Sequence, residues 1–213
     1  MSAAPSLLRR RGGPDSGRVG EIELFFDLVF VFAVTQLSHA LLADLSATGA
    51  LRVGLLLLAV WWVWIFTSWV TNWLDPARPV VRVALLVLML AGLILAVAIP
   101  DAFGGRGDAF ALAYVSMQLG RTAFMRWAVR REAPALRTNF TRIFLWLAGS
   151  GLFWLAGGFM AGEARMLAWT VAIAIDLIGP FAYFRVPGLG RSSAAEWDID
   201  AGHMAERCGL FVI

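Results

Sequence analysis

Apolar residues run along this chain in blocks of about 20 rather than at simple helical or strand spacing, the length at which a helix crosses roughly 30 Å of hydrocarbon. Six complete blocks can be marked, at about 24–43, 53–74, 80–100, 109–129, 143–162 and 166–184. A seventh opens near Arg207 (RCGLFVI) and is cut off at Ile213, so a longer natural protein is expected to complete that helix in lipid. The pattern predicts an all-α, polytopic transmembrane helical bundle of six complete spans plus the start of a seventh. Short loops rich in breakers separate the blocks: Asp75-Pro76 with Pro79, Pro100-Asp101 with Gly104-Gly105, and Pro187-Gly188 with Gly190. Residues 21–213 therefore read as one transmembrane domain, truncated at its C-terminus. Residues 1–20, polar and rich in Gly, Pro and Ser, read as a disordered cytoplasmic tail with no signal-peptide core.

Composition agrees with lipid as the main solvent. The chain is 60% hydrophobic and 15% charged, with a mean hydropathy of +0.73, against about 25% charged residues in a soluble domain. Its pI near 10.0 comes from 18 basic residues, all arginine. They are scattered between apolar blocks instead of forming one basic face, which argues against a nucleic-acid partner and for a topological role. The tail holds Arg9, Arg10, Arg11 and Arg18, the second loop Arg78 and Arg82, the fourth Arg126, Arg130, Arg131, Arg137 and Arg142, and the sixth Arg185, Arg191 and Arg207. The first, third and fifth loops carry one each, Arg52, Arg106 and Arg165. Basic residues are retained on the cytoplasmic side of short loops, so a 14 to 3 segregation predicts six crossings with the N-terminus inside. The single cysteine, Cys208, cannot form an internal disulfide and reads as a buried, inert thiol.

Polar groups inside the apolar blocks supply the candidate chemistry. A carboxylate at the centre of a membrane helix costs about 2.5–3.5 kcal/mol, which demands a partner. In the first span Glu23, Asp27, Thr35, Ser38 and His39 project within one broad arc, while Phe25, Phe26 and Phe30 lie largely outside it. The second span repeats Trp64, Ser68, Thr71 and Asn72 at helical spacing, and several of its five tryptophans lie too deep for an interfacial belt. The fourth carries Tyr114, Gln118 and Arg121, and Arg121 needs an anion because arginine does not shed its proton. Asp176, one turn before Pro180 in the sixth span, and Asp27 are the two candidate partners. Two readings follow. Asp27, His39, Gln118, Arg121 and Asp176 line a hydrated pocket that handles a small solute or ion, or they form an interhelical ion-pair network that fixes packing. His203 and Glu206, three apart in HMAE, are too few for a metal site, and helix capping or pairing with Arg207 is preferred. Gly158 and Gly162 form a small-xxx-small pair. No enzymatic fingerprint is present, so neither catalytic residues, nor a metal, nor a cofactor is assigned.

The opening ELFFDLVFVFAVTQLSHAL (Glu23 to Leu41) resembles the signature of the bacterial low temperature requirement A (LtrA) family. LDPARP (Leu74 to Pro79), IPDAFG (Ile99 to Gly104), the AYV…LGR stretch ending at Arg121, PGLGRS (Pro187 to Ser192) and HMAERCGLFVI (His203 to Ile213) are similar to family segments, in family order. The resemblance covers most of residues 21–213 and implies a multi-pass protein of the bacterial cytoplasmic membrane whose spans continue past Ile213. The family is named for growth in the cold and has no settled reaction, so it transfers no catalytic residues. By motif it transfers Glu23, Phe26, Asp27, His203, Glu206 and Arg207. The activity expected is transport or permeation through a polar bundle interior, with a lipid-modifying enzyme or a structural or sensory protein as the alternatives.

Overall fold

The computed structural model describes residues 6–9, 19–193 and 201–209. Seven helices form among them: α1 (Glu21–Ala43), α2 (Ala47–Thr71), α3 (Pro79–Ala98), α4 (Gly107–Ala128), α5 (Pro134–Phe159), α6 (Gly162–Phe181) and α7 (Ala201–Gly209). A single 3-10 turn, Ile99–Asp101, extends α3. No strand forms among the described residues beyond two isolated bridges, Leu8 with Leu74 and Val186 with Gly190.

Five helices, α1, α2, α3 with its turn, α5 and α6, are long and apolar enough to cross a membrane. The fourth predicted crossing, α4, has 22 residues, but Asp108, Gln118, Arg121 and Arg126 dilute its apolar character. Span length is present there without span composition. The seventh predicted block falls partly on α7 and partly on residues 210–213, which lie outside the described residues.

Helix ends depart from the hydropathy blocks for local reasons. α5 starts at Pro134 rather than near residue 143, because Leu136, Asn139 and Phe140 already present a buried face within its polar first turns. Proline suits that first position, where its missing N–H is not needed. α2 starts before its apolar block because the Ser46 side chain accepts a hydrogen bond from the Gly49 amide and caps the helix.

Packing places α2 at the centre. α1, α3, α4, α5 and α6 follow one another around it: α1 packs on α3, α3 on α4, α4 on α5 and α5 on α6, while α2 touches α1, α4, α6 and α7. Accordingly 61% of the apolar window of α2 is buried, against 28% for α1. Trp64 is fully enclosed and Trp69 nearly so, whereas Trp61 faces outward. The outer surface keeps large apolar side chains in the open, with Leu90 62%, Leu152 69% and Phe181 85% exposed. Such a continuous apolar surface suits hydrocarbon and would be unfavourable in water by about 25 cal/mol per Å².

At the end of the bundle holding the first, third and fifth loops, helices approach closely. A Cβ on Gly158 would meet the Ala111 side chain at 2.7 Å, and one on Gly157 would meet the Trp169 ring at 2.4 Å. Gly162 plays a different part: its φ of +58° makes the turn into α6, and a Cβ there would meet nothing within 4 Å. The two members of the small-xxx-small pair thus serve packing and turning separately.

Of the predicted tail, residues 1–5 and 10–18 lie outside the described residues. Residues 6–9 lie extended beside the α2–α3 loop, with the Arg9 amide donating to the Trp73 carbonyl at 2.9 Å and the Asp75 amide to the Leu7 carbonyl at 2.9 Å. Arg10, Arg11 and Arg18 lie outside the described residues. Cys208 is a free thiol, half-buried against the core.

Candidate functional site

The inward face of α1 is narrower than the predicted arc. Glu23, Phe26, Asp27, Phe30, Ala33 and Leu37 are buried, a stripe at i, i+3, i+4 and i+7 spacing. Phe26 and Phe30, read from the projection as outside the polar face, belong to it. Thr35 and Ser38 are exposed and satisfy their hydroxyls on the Val31 and Val34 carbonyls one turn back. His39 is exposed as well, so the structure does not bring it to the other candidates. A projection groups Thr35, Ser38 and His39 with Glu23 and Asp27 by polarity, whereas burial selects only those facing the neighbouring helices.

Two buried polar networks result. The first lies where the N-terminal segment, the start of α1, the end of α2 and α7 converge. Asp27 and Arg207, both fully buried, make a two-pronged ion pair, Nε to Oδ2 at 2.9 Å and Nη2 to Oδ1 at 2.6 Å. Trp64 Nε1 donates to Asp27 Oδ1 at 2.8 Å, and Arg207 Nη1 donates to the Thr71 hydroxyl. Glu23 receives Arg9 Nη2 at 3.0 and 3.1 Å and the Gly20 amide at 2.8 Å, with His203 Nε2 at 3.3 Å from its Oε1. Two carboxylates, Glu23 and Asp27, thus face two guanidinium groups, Arg9 and Arg207, with the imidazole of His203 at the edge. The preference for Arg207 beside Glu206 is corrected: Arg207 turns inward to Asp27, while Glu206 is exposed and accepts the Val19 amide at 3.3 Å. Glu206 and Arg207 are adjacent on α7 and so project about 100° apart, and the buried carboxylate is the stronger attraction. His203 accordingly meets Glu23 and is not paired with Glu206 as a ligand. Among the described residues no group of three or more His, Cys, Asp or Glu side chains is gathered for a metal.

The second network lies deeper, between α2, α4, α5 and α6. Asp176 accepts from Tyr114 Oη at 2.8 Å, from Trp154 Nε1 at 3.0 Å and from the Ser150 hydroxyl. Gln118 Nε2 donates to Tyr114 Oη at 3.1 Å, and the Gln118 carbonyl oxygen accepts from Arg121 Nη2. Arg121 Nη1 donates to the Val63 carbonyl at 3.1 Å and to the Thr67 hydroxyl at 3.0 Å. Its Cζ stands 5.4 Å from the centre of the Phe66 ring. Of the two carboxylates proposed for Arg121, Asp27 belongs to the first network and Asp176 is reached only through Gln118 and Tyr114. No carboxylate among the described residues makes an ion pair with Arg121, and its Nε–H lacks a hydrogen-bond partner there.

Arg121 also lines a cavity of about 270 Å³ between α2, α3 and α4. The other polar positions of its wall are Thr67, Thr71 and Ser116, and the remainder is apolar. Thr71 touches both networks, through Arg207 on one side and this cavity on the other.

Residues 18–213 match the family described as bacterial low temperature requirement A protein (LtrA). The chain belongs to this family. It is also 44% identical, over 204 residues, to an uncharacterised protein of Rhizobium meliloti (strain 1021), an overlap covering 96% of this chain and 50% of that relative. The chain therefore spans about half the length of the relative it matches. No solved structure matches. Of the positions transferred by the LtrA resemblance, Glu23, Phe26, Asp27, His203 and Arg207 all meet in the first network, and Glu206 stands just outside it.

Several members of these networks carry weaker signals in sequence. Arg9 reads as part of a tail until its salt bridge to Glu23 is seen; outside both networks, Arg165 likewise reads as a loop residue although it is only 6% exposed. Ser150 and Trp154, one turn apart on α5, and Thr67, one turn from Thr71, could have been found by asking which polar side chains share a helix face.

Proposed function

We propose that this LtrA-family chain forms part of a membrane permeation or transport protein, and that Arg121 attracts a small anionic solute or ion into the bundle. Arg121 carries the reading. It is buried, it has no carboxylate partner among the described residues, and it lines a cavity with three hydroxyl-bearing side chains. A permanent cation inside the bilayer is costly unless it serves a pathway or a partner. Here only neutral groups, the Val63 carbonyl, the Thr67 hydroxyl and the Gln118 amide, face the guanidinium, whereas the Asp27–Arg207 pair is closed by direct contact between charges. In this reading α4 also crosses, which brings the crossings to six, and the arginine-rich end, with Arg9, Arg78, Arg126 and Arg137, faces the cytoplasm of a bacterial inner membrane.

The test is flux through proteoliposomes holding the full-length protein, with chloride, nitrate, phosphate and small carboxylates offered in turn against matched cations. Arg121→Gln should abolish anion flux at least tenfold below the parent, and Arg121→Lys should retain part of it. If a folded Arg121→Gln variant conducts every tested solute at the parent rate, the transport reading fails.

A structural role is the second reading, and for the first network it is favoured by the enclosed two-pronged Asp27–Arg207 contact. Lipid-modifying chemistry finds less support, since His39 is exposed and His203 is closed against Glu23.

A further inference from the structure

A second basic feature stands apart from Arg121. Where α4 turns into α5, a cleft of about 510 Å³ is lined by Arg126, Arg130, Arg137, Pro134, Thr138 and Thr141. Three of these six residues are cations and none is an acid. The acidic residue of the turn, Glu132, is outside the lining, and its carboxylate accepts the Ser6 hydroxyl.

The guanidinium groups are held in place by apolar and hydroxyl surfaces. Arg126 lies over the Phe144 ring, Cζ 5.1 Å from its centre, and its Nε donates to Thr141 Oγ1 at 3.1 Å. Arg130 stacks on the Trp127 ring at 4.6 Å, and its Nη1 donates to the Trp127 carbonyl at 3.3 Å. Each contact fixes the stem of an arginine and leaves further N–H groups directed elsewhere. Trp127 itself is 44% exposed, as an interfacial tryptophan between headgroups and hydrocarbon would be. Further along α5, Leu145 and Leu152 are exposed seven residues apart on one face, which continues from the cleft towards the middle of the bilayer.

We propose that this cleft binds the headgroup of an anionic phospholipid that carries two phosphates, of the diphosphatidylglycerol type, with its acyl chains along the Leu145–Leu152 face of α5. Charge complementarity selects this occupant. Three guanidinium groups exceed what one phosphodiester neutralises, and their spread over two helices suits two phosphates held together by one glycerol. Phosphatidylethanolamine fits poorly, since its ammonium group finds no carboxylate in the wall. The lipid then clasps α4 to α5 at a turn where these arginines have no acidic partner among the described residues. The site does not involve Arg121, so it stands or falls separately from the transport reading.

The experiment is a lipid titration of the delipidated protein in mild detergent, followed by native mass spectrometry. The probes are diphosphatidylglycerol, phosphatidylglycerol, phosphatidylethanolamine and inorganic phosphate. One diphosphatidylglycerol should stay bound, more tightly than phosphatidylglycerol. Arg126→Gln and Arg137→Gln should each weaken it about fivefold, the effect of one arginine near an anionic lipid surface. Arg82→Gln, outside the cleft, should leave it unchanged. Because Arg126→Gln also removes the bond to Thr141, Arg137→Gln is the cleaner variant: its exposed side chain makes no hydrogen bond to the fold among the described residues. Equal retention by the Arg137→Gln protein and the parent overturns the proposal. So does binding of phosphatidylethanolamine as tight as that of diphosphatidylglycerol. Inorganic phosphate competing at equal concentration would also overturn it, since the cleft would then be a site for a free anion.

Discussion

Replacing Asp27 by asparagine removes one charge and almost no volume, and α7 should come loose. Arg207 would remain fully buried beside a neutral amide, with Glu23 Oε1 3.9 Å from its Nη1 as the nearest remaining anion. Removing one partner of a buried ion pair costs about 3–5 kcal/mol, chiefly because the other charge is left uncompensated. Glu23 offsets part of this, which places the expected loss at the lower end, about 3 kcal/mol. A shift of that size raises the undocked population of α7 more than a hundredfold. Cys208, the one cysteine of the chain, follows Arg207 directly and reports on docking without any engineered label. Maleimide should modify it at least tenfold faster in the Asp27→Asn protein than in the parent. The smaller factor allows for labelling of the half-buried thiol while α7 is docked. Arg207→Gln should act similarly, and the double variant Asp27→Asn with Arg207→Gln should label closer to the parent, because neither side is then left charged. Unchanged labelling of folded Asp27→Asn, or a double variant as reactive as the two singles combined, would refute the claim that this pair fastens α7 to the bundle.

Two further outcomes test the opposite end of the bundle. Arg165 donates to the carbonyls of Ala102 and Gly104 at 2.7 Å, of Met160 at 2.9 Å and of Gly157 at 3.1 Å, so Arg165→Gln should lower stability by more than about 2 kcal/mol in thermal unfolding in detergent. Gly158→Ala should cost about 1–3 kcal/mol by overpacking against Ala111, whereas Gly149→Ala, whose Cβ meets nothing within 4 Å, should be neutral or slightly stabilising in the same assay.

What the sequence made legible was the part of the fold governed by solvent. Block length located the long helices, and the carboxylates of α1 had to face inward because a lone charge in hydrocarbon is costly. What it left illegible was governed by partnership. A helical projection cannot distinguish His39 from Glu23 when both are polar, yet only Glu23 meets Arg9 and His203. Likewise Arg165 counts as one more loop arginine until the open carbonyls at the end of α5 and in the 102–104 loop surround it. These pairings join residues far apart in the chain, Asp27 with Arg207 above all, and no local pattern encodes them. The pairing of residues 6–9 is of the same kind, since its hydrogen bonds are to the α2–α3 loop rather than within the tail.

Asp27 and Asp176 show why environment must decide function once residue type has been read. Both are buried aspartates in apolar helices, and both accept an indole N–H, from Trp64 and Trp154 respectively. Asp27 spends its charge directly on Arg207, and a solute could gain access only by breaking that contact. Asp176 is held by neutral donors, Tyr114, Ser150 and Trp154, and its counter-charge Arg121 stands beyond Gln118 at the wall of a cavity. A separated pair is more responsive than a closed one: an anion beside Arg121 would alter the polarisation of the Gln118–Tyr114 chain and hence the setting of Asp176, through bonds already in place. On the proposed transport reading, the direct pair fastens the helices and the relayed pair leaves Arg121 as the cation that attracts an anion.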